Sequence, residues 1–431
     1  MNLGDRIALG IINIKNLKVI NELKKLLKSQ DWDRAKLEEY QKNRLQKLLN
    51  YAAQYVPYWR EVNLASKVKE GNAYSMLINI PILNKPIIRE QGEKIWSEKE
   101  SEYIVATTGG TTGNPLTIRR DYKCDAISKA ALWRARYNWG VRPSDRAIYL
   151  KAFGGGTLKG KLKMRLANKR VGEAFPSSDE DVRIITRMMH DFKPVAMEGY
   201  ATGLLESINR SQFKEDFKIN VVVSTGEMLY PHQRKELEDR YSARVYTYYG
   251  SNEIGSIAFE CEYHQLHICE EHVLVETLNE HDQPVINEPG RIVVTDLDNL
   301  AMPFIRYELG DVAVISDETC KCRRSTRLIS ELAGRSQDYL SGSNGTRLQA
   351  TQLVAYLKDL TKVGQLQFIQ TGEDQISIQY DGKSAGAGKE IEMIINHIHK
   401  RLGNQVGVIT EAVDEIAKTS RGKQPLVLRK I

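Results

Sequence analysis

The sequence predicts an α/β protein with a large N-terminal domain and a small C-terminal α/β domain. Short apolar runs alternate with helical patterns over residues 103–250, which is typical of a largely parallel sheet. Over residues 256–316 the apolar runs become closely spaced, and they indicate a β-rich subdomain. A loop-like segment at 341–345 then precedes a further hairpin and helix pattern. We therefore expect mixed and parallel sheets in the large domain and a separate, small α/β unit after it.

The expected domains are residues 1–334 and 335–431, and the first divides into 1–100 (helical), 101–255 (α/β) and 256–334 (β-rich). Apolar residues at helical spacing predict a helix over 35–56, and similar patterns predict helices at 122–139, 181–191, 231–241 and 389–401. Short apolar runs predict strands at 103–106, 116–119, 147–150, 195–197, 221–223, 256–259, 273–275, 291–294, 312–315, 366–370 and 375–379.

Composition excludes several classes of protein. The chain has 431 residues, 41% of them hydrophobic and 27% charged, which favours a folded, soluble protein over a disordered one. No run approaches the roughly 18 apolar residues of a membrane-spanning helix. The apolar segment Ile7–Ile14 is short and lacks a cleavage pattern, so it is a poor signal peptide. A surface helix or core contact is favoured for it, and a membrane-dipping segment is the alternative.

Charge and cysteine content narrow the partners and the compartment. The 62 basic and 55 acidic residues give a net charge of +7, and the longest basic cluster is Lys321–Arg324. This pattern does not favour nucleic acid as a partner, and it fits an enzyme of phosphorylated ligands. Five cysteines in a chain of this length, without an export signal, predict a reduced cytoplasmic protein.

The most informative segment is Thr107–Pro115, in which glycines and threonines lie between two predicted strands. Unobstructed backbone N–H groups and hydroxyls form a cradle for phosphate oxygens. The alternative is a flexible hairpin loop, and the density of small residues favours the cradle. A second segment, Gly155–Lys161, resembles the P-loop of nucleotide phosphotransferases, but Leu162 stands where Ser or Thr would hold Mg²⁺. A loop lining a pocket is the preferred interpretation there.

Two further segments follow predicted strands and therefore lie at the carboxyl edge of the sheet, where open α/β folds bind ligands. They are Ser224–Leu229 and Tyr248–Glu253, and the second contains an aromatic ring that can stack on a base and a carboxylate that can hold a metal. Asp311 follows a glycine where a strand begins, so it can accept two hydrogen bonds from a ribose diol or simply cap the strand. Lys423 ends a Thr-Ser-Arg-Gly-Lys loop, and a glycine-flanked lysine on a terminal loop is usually a solvated side chain.

In this combination and order, the segments resemble the adenylate-forming, AMP-producing ligase superfamily. Within it, the chain is most similar to the phenylacetate–CoA ligase branch and to the CapK-type proteins of capsular polysaccharide clusters. The blocks Leu49–Trp59 and Asn299–Asp311 belong to the same resemblance, which spans nearly the whole chain.

The resemblance implies a two-step reaction. A small-molecule carboxylic acid would attack the α-phosphate of Mg·ATP, pyrophosphate would leave, and the acyl-adenylate would pass to a nucleophile. That nucleophile is expected to be CoA, with a carrier-protein thiol or an amino sugar as alternatives, and a homodimer is a further expectation. The rival interpretation is a catalytically inactive scaffold, and the retention of Glu253, Asp311 and Lys423 argues against it.

The resemblance also implies a role for each matching residue. The loop formed by Thr107, Thr108, Gly109, Gly110, Thr111, Thr112 and Gly113 would hold the β- and γ-phosphates. Glu253 would coordinate Mg²⁺, and Tyr249, Gly226 and Glu227 would frame the adenine. Gly250 and Ser251 would also bind the nucleotide. Asp311 and Arg335 would hold the ribose, and Lys423 would bridge the carboxylate and the α-phosphate. A hinge between the domains would lie at Gln337 or Asp338, and the acid pocket after strand 147–150 and around 224–230.

Cysteines and histidines suggest a structural Zn²⁺ site. Cys261, His267, Cys320 and Cys322 could supply four ligands, the number that structural zinc sites take. His264 is an alternative to His267, Cys269 is a spare candidate, and Cys124 is expected in the core. The competing interpretation is four unrelated reduced side chains.

Overall fold

We describe the protein from a computed structural model. The structure describes all residues except 69–70, 100–101, 108–115, 152–157, 177, 210–218, 336–338, 343–345, 350–352, 354–355, 358–359, 361, 364, 382–386, 415, 417–425 and 431. Within the described residues, no helix has both the length and the apolar character needed to cross a bilayer.

Helices dominate the first hundred residues and flank the sheet that follows. They are α1 (Leu3–Ile12), α2 (Lys18–Ser29), α3 (Arg34–Tyr55), α4 (Pro57–Glu61), α5 (Leu64–Lys67), α6 (Ala73–Leu77), α7 (Lys85–Gln91), α8 (Tyr122–Asn138), α9 (Leu158–Leu166), α10 (Asp179–Phe192), α11 (Ala201–Asn209), α12 (Pro231–Tyr241) and α13 (Ala387–Leu402), with a 3₁₀ helix at Gly92–Ile95. Local capping explains several starts: the Asp121 carboxylate accepts from two backbone N–H groups of α8, and Ser178 forms a capping box with Asp181.

The strands fall into four sheets. They are β1 (Tyr103–Thr107), β2 (Thr117–Asp121), β3 (Ala147–Lys151), β4 (Lys169–Glu173), β5 (Ala196–Gly199), β6 (Val221–Ser224), β7 (Arg244–Ser251), β8 (Gly255–Glu260), β9 (Leu266–Ile268), β10 (Val273–Leu278), β11 (Pro289–Asp296), β12 (Tyr307–Ser316), β13 (Leu328–Arg335), β14 (Tyr339–Ser341), β15 (Arg347–Gln349), β16 (Leu366–Gly372), β17 (Gln375–Asp381), β18 (Gly407–Val413) and β19 (Val427–Arg429).

One sheet of eleven strands forms the framework, in the order β10-β11-β12-β13-β9-β8-β7-β6-β5-β3-β4. Strands β3, β4, β5, β6 and β7 pair in parallel, as the alternating pattern predicts. The remaining neighbours in the sheet, from β7 through β8, β9, β13, β12 and β11 to β10, pair antiparallel. The β-rich part is therefore continuous with the parallel part, because β7 pairs with β6 on one side and β8 on the other. The predicted strands at 103–106 and 116–119 stand outside this sheet as the antiparallel hairpin β1–β2.

The C-terminal part has its own sheet and core. Strands β18-β17-β16-β19 form a four-stranded sheet on which α13 packs through Ile391, Ile394 and Ile398. The hairpin and helix expected after residue 365 are both present. One expectation needs correction: Asp311 lies inside β12 rather than at its start, because that strand begins four residues earlier, at Tyr307.

Candidate active site

The candidate nucleotide site lies where β7 and β12 come together. The Tyr249 hydroxyl donates to Asp311 Oδ2 at 2.6 Å, and the Tyr249 side chain is buried. In sheet order, β12 and β7 are four places apart, which in a flat sheet would separate them by roughly 19 Å. The hydrogen bond therefore shows that the sheet curves strongly and encloses the site. Asp311 also stands opposite Arg335 in the register of β12 and β13.

Glu253 lies in the turn between β7 and β8 and forms an ion pair with Lys85. Its side chain is 7% exposed, and Oε1 lies 3.0 Å from Lys85 Nζ and 3.3 Å from the Tyr307 hydroxyl. A buried carboxylate needs a positive partner, because desolvation of an unpaired charge is costly. Lys85 was not identified from the sequence, since it lies 168 positions before Glu253 and carries no recognisable signal.

The segment before Lys85 is hydrogen-bonded to the first residues of β12 and to Arg306, which precedes that strand. The Leu83 N–H donates to the Arg306 carbonyl at 2.9 Å, and the Glu308 N–H donates to the Leu83 carbonyl at 2.8 Å. The Arg306 guanidinium donates to the Ile80 carbonyl at 2.8 Å and forms two hydrogen bonds with the buried Glu276 carboxylate. These contacts place the ammonium of Lys85 beside Glu253.

Arg120 connects the strand after the Thr/Gly loop to the turn that carries Glu253. It lies on β2, and one guanidinium nitrogen donates to the carbonyls of Asn252 and Glu253 at 2.8 and 3.2 Å. The hairpin β1–β2 is thus hydrogen-bonded to the turn that carries Glu253. Thr107, the first residue of the Thr/Gly segment, is the exposed last residue of β1.

The loop after β6 is shaped by its glycine. Gly226 has φ +75, and a Cβ there would lie 2.6 Å from Cε1 of Tyr200. Only glycine permits both the backbone conformation and the contact with the ring. The next residue, Glu227, accepts hydrogen bonds from the backbone N–H and the hydroxyl of Thr202 at the start of α11. Gly250 is similarly constrained, since a Cβ would lie 2.4 Å from the Gly255 carbonyl oxygen.

Several predicted site residues lie outside the described residues. They are Thr108, Gly109, Gly110, Thr111, Thr112, Gly113, Gln337, Asp338 and Lys423, together with residues 155–157 of the 155–161 segment, whose remaining residues begin α9. Arg335 is described for its backbone alone. The structure thus pairs Tyr249 with Asp311, and it places Glu253 in the turn after β7, beside Tyr307 of β12. Gly226 and Glu227 lie in the loop after β6, whereas Gly250 and Ser251 are the last two residues of β7.

The segment after β3 that is expected to line the acid pocket lies largely outside the described residues, and a buried ion pair lies beside β3 itself. Arg136 donates to Glu198 Oε2 at 2.5 Å, and its guanidinium lies over the Tyr149 ring. Burial raises the pKa of Tyr149 and of Tyr248, so both phenols remain uncharged. This face of the sheet therefore carries the uncharged tyrosine side chains near the Arg136–Glu198 ion pair.

Cys261, His267, Cys320 and Cys322 form a compact cluster whose candidate ligand atoms all lie within 4.8 Å of one another. Cys261 Sγ is 3.7 Å from Cys320 Sγ, and His267 Nε2 is 3.1 Å from Cys322 Sγ. Two sulfurs bound to one tetrahedral zinc ion at about 2.3 Å stand about 3.8 Å apart. The donor set and its spacing therefore fit zinc.

The surroundings of the cluster also suit a metal. The Tyr263 and Cys322 N–H groups donate to the sulfurs of Cys261 and Cys320, and His267 Nδ1 lies 2.9 Å from the Thr326 hydroxyl. A partner on the second nitrogen orients a metal-binding imidazole. Burial lowers the pKa of His267 to about 4, which keeps the ring neutral.

The other candidates for this site are placed elsewhere. His264 Nδ1 lies 2.9 Å from an Arg234 nitrogen, and Cys269 Sγ accepts from Arg134 at 3.2 Å. Cys124 is buried in the core, as expected, and donates to Asp296 at 3.3 Å. With His272 it forms a second buried cluster, whose Asp296 also accepts from two backbone N–H groups of the 296–299 turn.

The chain is similar in sequence to three characterised kinds of protein. Residues 340–430 match the CapK C-terminal domain family. The chain is 26% identical to a phenylacetate-coenzyme A ligase of Thermus thermophilus, with 77% of each chain covered. It is 22% identical to protein CapK of Staphylococcus aureus over 95% of this chain and 92% of that protein. An indoleacetate–lysine synthetase of Pseudomonas savastanoi is 26% identical, over 60% of this chain and 67% of the synthetase.

Solved structures show the same fold. A 2-hydroxyisobutyryl-CoA ligase in the postadenylation state, in complex with 2-HIB-AMP, superimposes with a TM-score of 0.72 at 18% identity, covering 93% of this chain and 90% of that one. The same ligase in complex with 2-HIB-AMP and CoA in the thioesterification state gives 0.62, covering 93% and 91%. The architecture expected from the sequence is confirmed.

Proposed function

We propose that this chain, a homologue of phenylacetate–CoA ligase and of CapK with the fold of a 2-hydroxyisobutyryl-CoA ligase, activates a carboxylic acid as an acyl-adenylate. The observation that carries the proposal is the hydrogen bond between Tyr249 and Asp311, with Glu253 in the turn that follows the same strand, β7. Arg120 of the β1–β2 hairpin is hydrogen-bonded to that turn. The CoA ligases among the relatives support a thiol acceptor, and the lysine synthetase supports an amine as the alternative.

In the proposed first step, an oxygen of the acid attacks the α-phosphorus of ATP. The bond from that phosphorus to the bridging oxygen breaks, and pyrophosphate leaves with the electron pair. The protein has to hold the reacting groups in line and stabilise the charge of the transition state. Asp311 and Arg335 would bind the ribose, Tyr249 and the 226–227 loop would contact the adenine, and the Thr107–Gly113 loop would hold the outer phosphates.

In the second step, the acceptor attacks the acyl carbon, and AMP leaves. We propose a domain boundary near residues 334–335, with the C-terminal unit moving between the two steps about the 337–338 hinge. The separate sheets and cores on either side of this boundary support the proposal.

Glu253 would hold Mg²⁺, and Lys85 would occupy the same carboxylate when the metal is absent. A buried carboxylate 3.0 Å from an ammonium group already stabilises a cation at this position. When bound, Mg²⁺ would neutralise charge on the phosphate oxygens. Lys85 would then turn from Glu253 toward the phosphates, since its side chain is about one third exposed.

Pyrophosphate release from ATP, measured with a panel of aliphatic and aryl carboxylic acids, tests the function. We expect acid-dependent release that requires Mg²⁺. Because even an indirect partner of a metal contributes about 10–100-fold to affinity, Glu253→Gln should raise the Mg²⁺ requirement at least about tenfold. Lys85→Met removes the competing cation and should lower that requirement.

Two results would contradict these assignments. If no acid in the panel stimulates release although the protein binds ATP, the inactive scaffold is the better interpretation. If both variants release pyrophosphate with the Mg²⁺ dependence of the unsubstituted protein, Glu253 does not hold the metal.

We also propose that Cys261, His267, Cys320 and Cys322 bind one structural zinc ion. Cys261 follows β8 and His267 lies on β9, so the ion would join this hairpin to the turn 320–322. Because protein side chains would fill all four positions, the metal would contribute to folding and not to the reaction.

Metal analysis of protein purified without chelators should find about one zinc per chain. Cys320→Ser with Cys322→Ser should lose it and lower the unfolding temperature, because metal binding is coupled to folding. Cys269→Ser is the matched control and should keep its zinc, since that sulfur contacts Arg134. Zinc-free protein that is fully folded and active would refute the site.

A further inference from the structure

Helices α1 and α9 contact each other and carry an unusually apolar exposed surface. We refer to residues 3–18 and 160–166 as the α1–α9 surface. Six large hydrophobic side chains on it are between 55% and 73% exposed: Leu3, Ile7, Ile14, Leu17, Leu162 and Leu166. They are six of the thirteen exposed large hydrophobic side chains among the described residues. Such a concentration marks an interaction site, because single exposed apolar residues are normally scattered.

The exposed side chains are not needed to hold the helices in place. Leu3 and Ile7 lie four residues apart on one face of α1, and Leu162 and Leu166 lie four residues apart on one face of α9. The inner face of α1 packs Leu9 into the core with Trp133 and Val19. The helix is thus anchored by its inner side, and the outer apolar face has no partner within the described part of the chain.

Basic side chains are interleaved with the apolar ones. Arg6, Lys15, Lys18, Lys161 and Arg165 are all exposed. Burial lowers the pKa of Lys163, and the nearby charges of Lys129 and Lys15 lower it further. The one acidic residue in 3–18 is Asp5, which is buried and accepts from the Tyr137 and Ser144 hydroxyls. The α1–α9 surface therefore combines exposed apolar side chains with a net positive charge.

We propose that the α1–α9 surface docks the protein on an anionic lipid bilayer. The six apolar side chains would enter the boundary between headgroups and acyl chains, and the lysine and arginine side chains would extend to the lipid phosphates. A protein partner fits less well, because lysine is depleted at protein–protein interfaces, whereas lysines surround these apolar residues. The protein would lie on the membrane without crossing it.

Co-sedimentation of the full chain with vesicles tests this proposal. We expect binding to vesicles that contain phosphatidylglycerol, weaker binding at high salt, and little binding to phosphatidylcholine alone. Ile7→Asn with Leu166→Asn should lower partitioning at least about tenfold through lost apolar burial. Lys15→Gln and Lys161→Gln should each lower it about fivefold, which corresponds to about 1 kcal/mol per charge.

The matched control is Ile409→Asn on β18, a residue that is 70% exposed but lies on the C-terminal sheet, and it should bind vesicles normally. All the substituted side chains are exposed, so thermal unfolding should be unchanged and should exclude misfolding. Absence of binding to anionic vesicles overturns the proposal, as does equal loss in the Ile409 variant. If the chain instead self-associates in solution and Ile7→Asn with Leu166→Asn abolishes this without any vesicle binding, the surface is an interface between copies, and the lipid proposal is wrong.

Discussion

Replacing Lys423 by alanine is expected to lower the rate of acyl-adenylate formation by about 10²–10³. In the proposed reaction, its ammonium group neutralises charge that develops between the attacking carboxylate and the α-phosphate. Lys423 lies four residues before β19, whose parallel pairing with β16 anchors this end of the chain. The C-terminal unit would therefore carry the lysine to the site when it closes for the first step.

The two half-reactions separate this role from a structural one. Transfer from chemically prepared acyl-AMP to CoA should be nearly unchanged in the Lys423 variant, because the charge it stabilises belongs to the first step only. Lys430→Ala, an exposed lysine in the same terminal segment, should leave both steps unchanged. Equal losses in adenylation and transfer would show that Lys423 does not have this role.

Arg306→Ala is expected to lower the free energy of unfolding of the protein by about 3–5 kcal/mol. The substitution leaves the Glu276 carboxylate buried without its partner, and it also removes the donor to the Ile80 carbonyl. Since the Arg306 guanidinium holds the chain just before Lys85, the variant should also lose metal-dependent turnover. Urea denaturation followed by circular dichroism measures the stability, with tryptophan fluorescence as a second probe.

Burial raises the pKa of Glu276, and Arg306 opposes that rise, so the pKa should be higher still in the variant. Between the unfolded and folded pKa values the native state binds the extra proton, so stability falls as the pH rises. The deficit should therefore shrink as the pH is lowered toward the ordinary glutamate range.

Two controls test whether the loss of stability comes from burial of the unpaired Glu276 charge and not simply from the loss of one ion pair. Arg60→Ala breaks an exposed ion pair with Glu98 and should cost about 1 kcal/mol or less. Arg306→Met combined with Glu276→Leu should recover most of the stability, because neither charge remains buried. A pH-independent loss in the Arg306 variant would contradict this account.

Local patterns in the sequence determined the secondary structure closely. Predicted helices at 122–139 and 231–241 correspond to Tyr122–Asn138 and Pro231–Tyr241, and the strand at 221–223 corresponds to Val221–Ser224. Asp121 caps the first helix, Pro231 begins the second, and the strand is a short apolar run, so each signal depends on neighbours within a few residues. The order of sequence segments was likewise sufficient to indicate the adenylate-forming fold.

Only the tertiary structure decided which side chains meet. Lys85 reaches Glu253, Tyr249 reaches Asp311 across a curved sheet, and His267 rather than His264 joins the three cysteines. The α1–α9 surface likewise needed the fold, because two segments about 150 positions apart form it. The physical reason is the same in each case. Sheet curvature and packing result from many weak contacts between residues far apart in sequence, so they cannot be predicted from any local segment.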